Sequence, residues 1–350
     1  MKKTIKVIIF IFLALFVIVA GYGAYIILPL YFPQKHNPDT RYITDVNDPE
    51  DLLRIGESNW VITSNLGTKD WEKGGFFAVD INTHKAYPVE IDFSKKPDNL
   101  YKEDSDSFQP DLFCSHGISL RSEGDGSYTL YAVNHGSHES VEVFQVELTD
   151  SVPKVTWQGS VNFPDGIGGN SVAALTPDGF LATQATRSGL KGIVLKWTPQ
   201  AGWEEVPDTV FNYDNGLLVS PDNQFLYVVS NIDGIVYKVP FQQSSGEIKK
   251  VKLNFKVDNI RFAPDGSILA TGQDSPILRQ GYFLKTSLEV CPVNTGIAVI
   301  APDTMTVKKT QYIKGTDAFG AGTSTIVVGN EMWIGSFRAN NLLIIDNFMD

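Results

Sequence analysis

Thr176-Pro-Asp-Gly179 is the first of three similar turns, and it is followed by Ser220-Pro-Asp-Asn223 and Ala263-Pro-Asp-Gly266. Their prolines lie 44 and 43 residues apart. Each turn has a short apolar run on either side, which is typical of two antiparallel strands joined by a tight turn. A repeat of about 40–45 residues with several short strands indicates the four-stranded blade of a β-propeller.

The first strand of each repeat starts with a polar residue, and this start recurs six times along the chain. The six starts are Glu50-Asp-Leu-Leu, His116-Gly-Ile-Ser-Leu, Asn170-Ser-Val-Ala-Ala-Leu, Asn215-Gly-Leu-Leu-Val, Asn259-Ile-Arg-Phe-Ala and Thr323-Ser-Thr-Ile-Val-Val. The sequence therefore predicts an all-β fold, a single six-bladed β-propeller over residues 34–350. The gap after Asn259 is long, and it leaves open an arrangement of seven blades.

Residues 1–33 differ in composition from the rest of the chain. Met1-Lys-Lys-Thr-Ile-Lys6 carries three lysines, and the 26 residues from Val7 to Phe32 contain no charged side chain. A helix of that length crosses a hydrocarbon core of roughly 30 Å, whereas a cleavable signal has an apolar region of about 7–15 residues. We therefore expect an uncleaved signal anchor, a single transmembrane helix with its lysines inside. The propeller would then be extracytoplasmic (periplasmic, extracellular or lumenal), and cleavage near Ala24 is the alternative.

The overall composition limits the partners of the protein. The formal net charge is −11, and lysine and arginine form no basic stripe. Nucleic acid is therefore excluded as a partner, because a protein that binds it needs clustered basic residues against the phosphates. The two cysteines, Cys114 and Cys291, are compatible with an oxidising compartment, and nothing in the sequence requires them to pair.

The starts of the inner strands predict a cation site. In a propeller the innermost strand of every blade runs along the central axis, so these starts converge on one end of the channel. Carboxylate and amide oxygens are the hard ligands that Ca²⁺ prefers. The starts supply Glu50, Asn170, Asn215, Asp258 and Asn259. Each asparagine alone could serve as a turn or strand cap, but a ring of such side chains around one axis favours a bound metal.

A pair of histidines adds a second candidate group. His116 and His135 are two of only five histidines, and they lie 19 residues apart in neighbouring predicted strands. Because imidazole titrates near neutral pH, a close pair could pass a proton to and from a water molecule. Two solvated histidines at strand ends are the alternative.

At these residues the chain resembles the paraoxonases, the calcium-dependent lactonases and arylesterases, within the wider group of gluconolactonase-like six-bladed propellers. The resemblance runs over most of residues 45–346. It is clearest at Pro49-Glu-Asp-Leu52, His116-Gly-Ile-Ser119, Tyr131-Ala-Val-Asn-His135, Asn215-Gly with Ser220-Pro-Asp222, and Val257-Asp-Asn-Ile260.

The resemblance implies particular roles for these residues. A catalytic calcium would be held by Glu50, Asn170, Asn215, Asp258 and Asn259. A catalytic dyad would consist of His116 and His135.

A second, structural calcium is also implied, beside Asp51 and the backbone carbonyl of Ile118. The family has an aspartate at the third ligand position, where this chain has Ser171. Losing a carboxylate weakens a calcium site, so we expect weak or absent binding there. The family's long-range disulfide is not matched either, since Cys114 and Cys291 stand at other positions.

The resemblance implies a carboxylic ester hydrolase that acts on small lactones or esters. Ca²⁺ would polarise the carbonyl oxygen, His116 would act as general base on the attacking water, and His135 would orient His116 or relay its proton. Two alternatives remain. One is a gluconolactonase-like enzyme with a polar sugar pocket. The other is a non-catalytic propeller that displays a loop, such as the insertion at residues 95–110, to a partner.

Overall fold

The computed structural model describes residues 2–67, 74–101, 105–164, 168–188, 190–242 and 244–349. Within these ranges the strands form six sheets, which confirms the predicted all-β, six-bladed propeller. The insertion at residues 95–110 lies partly outside the described residues, at positions 102–104.

Each sheet is one blade, and its four main strands form an antiparallel meander from the axis outward. Blade 1 comprises Leu52–Arg54, Trp60–Asn65, Gly75–Asp80 and Ala86–Pro88, and blade 2 comprises Ser115–Gly124, Ser127–Asn134, Ser140–Glu147 and Lys154–Asn162. Blade 3 comprises Gly169–Ala174, Phe180–Ser188, Lys191–Thr198 and Gly202–Glu205, and blade 4 comprises Asp214–Val219, Phe225–Ser230, Ile235–Pro240 and Lys249–Lys252. Blade 5 comprises Lys256–Phe262, Ile268–Asp274, Asn294–Ala301 and Thr306–Ile313, and blade 6 comprises Gly322–Val328, Glu331–Ser336, Asn341–Asp346 and Arg41–Thr44.

The three Pro-Asp turns each join the first and second strands of a blade, as the repeat predicted. The seven-bladed alternative is wrong for the part of the chain that the structure describes. The long gap after Asn259 contains a short helix, Ile277–Phe283, between the second and third strands of blade 5. Blade 2 has additional elements, the short strand Ile91–Asp92 at its outer edge and the 3-10 turns Ser105–Ser107 and Pro110–Leu112 before its first strand.

The ring is closed by a strand from the beginning of the propeller. Arg41–Thr44 pairs antiparallel with Asn341–Asp346, in a register that places Arg41 opposite Ile344. The Arg41 guanidinium also contacts Glu331 at 2.6 Å and Asp346 at 2.5 Å. Exposed ion pairs contribute little to stability, so the closure depends mainly on the backbone ladder and on apolar packing around the buried Trp333.

The core lies between adjacent blades, because alternate side chains of each strand point to opposite faces of its sheet. Between blades 2 and 3, for example, Phe180 packs against Tyr131 with ring centroids 5.1 Å apart and against Trp197 at 5.3 Å. Full burial of one such side chain contributes about 1.5–3 kcal/mol. Contacts of this kind hold the inner strands at fixed positions around the axis.

An apolar helix, Lys2–Tyr31, precedes the propeller. Its segment Ile9–Tyr31 is long and apolar enough to cross a membrane, judged by length and composition. The C-terminal end of the helix packs on the propeller, where Leu30 is buried against Phe283 and Cys291. The Arg279 guanidinium donates to the backbone carbonyls of Tyr25 and Ile26 at 2.6 and 3.2 Å.

Candidate functional site

The inner strands are irregular at the level of the candidate site. In five of those described, the pairing register with the second strand shifts near the start of the inner strand. The shifts span His116-Gly117, Asn170-Ser171, Asn215-Gly216, Asp258-Asn259 and Thr323-Ser324. Bulges of this kind re-aim side chains and are common beside functional sites. They explain how two consecutive residues, Asp258 and Asn259, can both contribute to one site.

The five predicted calcium ligands are all buried. Four of them have a buried oxygen that finds no hydrogen-bond partner in the described part of the chain: Glu50 Oε2, Asn170 Oδ1, Asn215 Oδ1 and Asn259 Oδ1. A buried oxygen that lacks a partner costs free energy, and folded proteins rarely tolerate several in one place. A divalent cation would satisfy such a group of oxygens.

Amide donors fix the orientation of the two acidic ligands. Asn259 Nδ2 donates to Glu50 Oε1 at 2.7 Å, and Gln273 Nε2 donates to Asp258 Oδ2 at 2.6 Å. Gln280, on the short helix, donates in turn to Gln273 Oε1 at 3.3 Å. Partners of this kind keep ligands in place and influence metal affinity.

The electrostatics of the ring also fit a cation. Burial raises the pKa of Glu50 well above its usual range, and the neighbouring Asp51 charge raises it further. Burial and the charge of Glu50 raise the pKa of Asp258 to about 7. A bound cation reverses this situation, because it stabilises both carboxylates in their charged form.

The donor set therefore fits Ca²⁺, which takes carboxylate and amide oxygens in a flexible geometry. Only two of the five proposed ligands are carboxylates, and the other three are asparagine amides. Within the described ranges no group of three or more His, Cys, Asp or Glu side chains could hold a metal ion.

The two predicted catalytic histidines are in direct contact. His116 Nδ1 lies 2.7 Å from His135 Nε2, and His135 Nδ1 lies 2.8 Å from Glu139 Oε2. His116 Nε2 lies 3.6 Å from Glu50 Oε1, so the histidine pair borders the oxygen ring. The alternative of two solvated strand-end histidines is not what the structure has, since both side chains are largely buried.

The hydrogen-bond network indicates which nitrogens carry protons. Facing the Glu139 carboxylate, His135 Nδ1 carries a proton, so neutral His135 accepts at Nε2 from His116 Nδ1. His116 Nε2 is then left with a lone pair on the side of the oxygen ring. Burial lowers the pKa of both imidazoles, which keeps them neutral and able to accept a proton near pH 7.

The residues predicted for a second calcium have another partner. The Asp51 carboxylate accepts from the backbone N–H of Ile118 at 2.9 Å and from the Arg261 guanidinium. Arg261 Nη2 also donates to the Ile118 carbonyl at 3.0 Å, and the buried Ser171 hydroxyl has no hydrogen-bond partner among the described residues. These residues do not fit a metal ion, because an arginine already engages the expected ligands.

The sequence reading missed Glu139, Gln273 and Arg261. Of these three residues, Arg261 was the one that the sequence could have indicated, because an arginine two positions after Asn259 is unusual in an otherwise apolar strand. Cys114 and Cys291 are buried free thiols.

Comparison with known proteins places these features in context. The chain is 26% identical to human serum paraoxonase/lactonase 3 over 228 residues, which is 60% of each chain. It is 28% identical to the rat protein of the same name over 223 residues, 58% of each chain. The chain thus matches about 60% of the length of these curated relatives. No family model matches it. The resemblance to the paraoxonases seen in the motifs is confirmed at this level.

Solved structures support the fold. A candidate gluconolactonase aligns over 91% of this chain and 95% of its own, with a TM-score of 0.53 and 14% identity. A luciferin-regenerating enzyme aligns over 89% and 93%, with a TM-score of 0.52 and 12% identity. Since propellers of different activity match about equally well, these structures establish the architecture and not the chemistry.

Proposed function

We propose that this protein is a calcium-dependent hydrolase of lactones and related carboxylic esters. The observation that carries the proposal is the group of unpartnered buried oxygens on Glu50, Asn170, Asn215 and Asn259, with the His116–His135 pair at its border. The similarity to paraoxonase/lactonase 3 supports the same reaction class.

In this proposal Glu50, Asn170, Asn215, Asp258 and Asn259 hold the metal. When bound, calcium would supply the positive charge that polarises the substrate carbonyl.

The histidines accept and then return the proton of the attacking water. His116 Nε2 takes a proton from the attacking water, and His135 together with Glu139 keeps His116 in the tautomer that can accept it. The same proton is returned to the ring oxygen of the lactone when its bond to the carbonyl carbon breaks. The products are a hydroxy acid from a lactone, or an acid and an alcohol from an ester.

A cavity of about 700 Å³ opens on the same face of the propeller as the histidines. It is lined by residues before the first strand of blade 1 and between the second and third strands of blades 1, 5 and 6. Its wall includes Leu66, Phe283, Leu284 and Phe337. The rest of the lining is mostly polar or charged, as at Arg338, so a lactone is proposed over a sugar because of the similarity to paraoxonase/lactonase 3. A non-catalytic propeller would not require a histidine pair at the border of the buried oxygens, so that alternative is disfavoured too.

We also propose that the N-terminal helix is retained as a membrane anchor with the propeller outside the cytoplasm. Its support is the segment Ile9–Tyr31, which is long and apolar enough to cross a membrane.

The proposed function is tested with the purified full-length protein in detergent. Hydrolysis of a panel of γ- and δ-lactones, aryl esters and a sugar lactone is measured with and without a calcium chelator, followed by re-addition of Ca²⁺ or Mg²⁺. We expect lactone hydrolysis that the chelator abolishes and Ca²⁺ restores. Activity that persists in the chelator, or a strong preference for the sugar lactone, would contradict the proposal.

A further inference from the structure

We propose that the guanidinium of Arg261 takes the place of a second calcium ion at the centre of the propeller. A positively charged side chain would then occupy the position where the resemblance implies a metal ion. The inference concerns the position beside Asp51, and it does not depend on whether the protein is a hydrolase.

The contacts of Arg261 are those of a cation in an oxygen cage. Nε donates to the Leu52 carbonyl at 3.2 Å, Nη1 to the Ile260 carbonyl at 3.0 Å and Nη2 to the Ile118 carbonyl at 3.0 Å. Nη2 also contacts the Asp51 carboxylate. The arginine side chain is 6% exposed and that of Asp51 is 0% exposed. Backbone carbonyls and a carboxylate are the same ligand types that Ca²⁺ takes.

The position of these contacts explains what the cation does. Arg261 is on the inner strand of blade 5, Leu52 on that of blade 1 and Ile118 on that of blade 2. Ser324, on the inner strand of blade 6, donates its hydroxyl to Asp51 Oδ1 at 2.9 Å. The buried Arg261–Asp51 pair therefore links the inner strands of four blades, as a central ion with its ligands would.

The charges balance without a metal. Among the described residues Asp51 is the one carboxylate in contact with the guanidinium, and Ser171 is neutral where the resemblance implies a second carboxylate. One negative charge is matched by one positive charge. A calcium ion beside Arg261 would add two positive charges at short range without a further carboxylate in contact, so its binding would be opposed.

The decisive experiment restores the metal site by exchanging the cation. Calcium per chain is measured by elemental analysis after dialysis for the parent, Ser171→Asp, and the double variant Ser171→Asp/Arg261→Met. We expect the double variant to hold one more calcium than the parent, and Ser171→Asp alone to gain none. No gain in the double variant, or a gain with Arg261 retained, would overturn the inference. A parent that holds no calcium contradicts the proposed function instead, because only the increment tests Arg261.

A thermal measurement decides the matter if the double variant does not fold. In excess chelator, Arg261→Met leaves the buried Asp51 carboxylate without its positively charged partner, so the melting temperature should fall by several degrees. Adding Asp51→Asn to Arg261→Met should recover part of the loss, since both charges are then absent. Lys308→Met, which breaks the exposed 3.7 Å pair with Asp265, is the matched control. If Arg261→Met melts within about 1 °C of the parent, Arg261 does not hold the centre together.

Discussion

Asn259 donates its side-chain amide to the carboxylate of Glu50 at 2.7 Å, across 209 positions of sequence. The bond leaves Asn259 Oδ1 and Glu50 Oε2 buried and without partners. It therefore holds two proposed ligands, one from blade 5 and one from blade 1, with their remaining oxygens free for the same cation. Glu50 Oε1 also lies 3.6 Å from His116 Nε2, which connects the oxygen ring to the histidine pair.

Removing one ligand should weaken metal binding. Asn215→Ala deletes a buried, unpartnered oxygen, so we expect lower calcium content and the loss of most calcium-dependent stabilisation. A metal at 100 times its Kd stabilises the folded state by about 2.7 kcal/mol. Differential scanning calorimetry with and without chelator measures this effect, and Asn82→Ala, in an exposed turn, is the control. Full calcium content and rate in Asn215→Ala would show that the ring does not bind the metal.

The general base should be the histidine nearer the ring. We expect His116→Gln to lower kcat for lactone hydrolysis by on the order of 10²-fold or more, as loss of a general base usually does. His135→Gln should cost less, because it acts through His116. Calcium content should stay unchanged in both variants. A rate within about threefold of the parent for folded, calcium-loaded His116→Gln would remove the histidine from the mechanism.

Glu139 should act as a positioning residue for His135. Glu139→Gln keeps a hydrogen-bond acceptor but removes the charge that raises the pKa of His135, so that pKa should fall. The neutral base then persists to lower pH, and the acid limb of the kcat profile should move to lower pH. We expect a smaller loss of kcat than for His116→Gln and an unchanged KM. An unmoved acid limb would assign Glu139 a purely structural role.

Stability should fall with rising pH because of a buried carboxylate outside the site. Burial raises the pKa of Glu142 from 4.5 to about 7, despite donors from Ser140, Ser160 and Trp157. The folded state then binds the proton more tightly than the unfolded state, so this group costs roughly 3 kcal/mol once the pH exceeds about 7.

Glu142→Gln should remove that penalty. Relative to the parent, its free energy of unfolding should rise by roughly 3 kcal/mol between about pH 4.5 and 7.5, measured by urea unfolding at several pH values. Glu147→Gln, at a partly exposed carboxylate on the same strand, is the matched control. Parallel pH curves for the parent and Glu142→Gln would contradict the prediction.

The anchor predicts a defined topology. Protease added outside intact cells should digest the propeller, and permeabilised cells provide the control for total accessibility. Complete protection in intact cells, or a mature chain that starts near Tyr25, would contradict the anchor.

Local chemistry explains how much of the fold could be predicted. The Pro-Asp turns specify a strand–turn–strand unit within a few residues, and their spacing set the blade length. Counting starts then led from Glu50 to Thr323, and the structure has a blade at each. The competing seventh blade depended only on a long interval, which a short helix fills.

The contacts within the site were less accessible from sequence. Arg261 meets Asp51 across 210 positions and Ile118 across 143, and Glu139 meets His135 only because a turn folds back. Such contacts depend on strand register and on bulges, and no single residue type predicts either of these. Residue type and spacing identified the candidate ligands, whereas the partners that hold them required coordinates.

The closing strand gives synthesis a fixed order of events. Arg41–Thr44 leaves the ribosome early, yet Arg41 pairs with a segment that includes Asp346, 305 positions later. The strand must therefore wait unpaired, beside the apolar helix, until nearly the whole chain has emerged. A chain that stops before Asn341 would leave the third strand of blade 6 missing and two edges open, while blades 1–5 keep all their strands. A stop codon shortly before Asn341 should thus yield aggregation-prone protein and not a shortened, folded propeller.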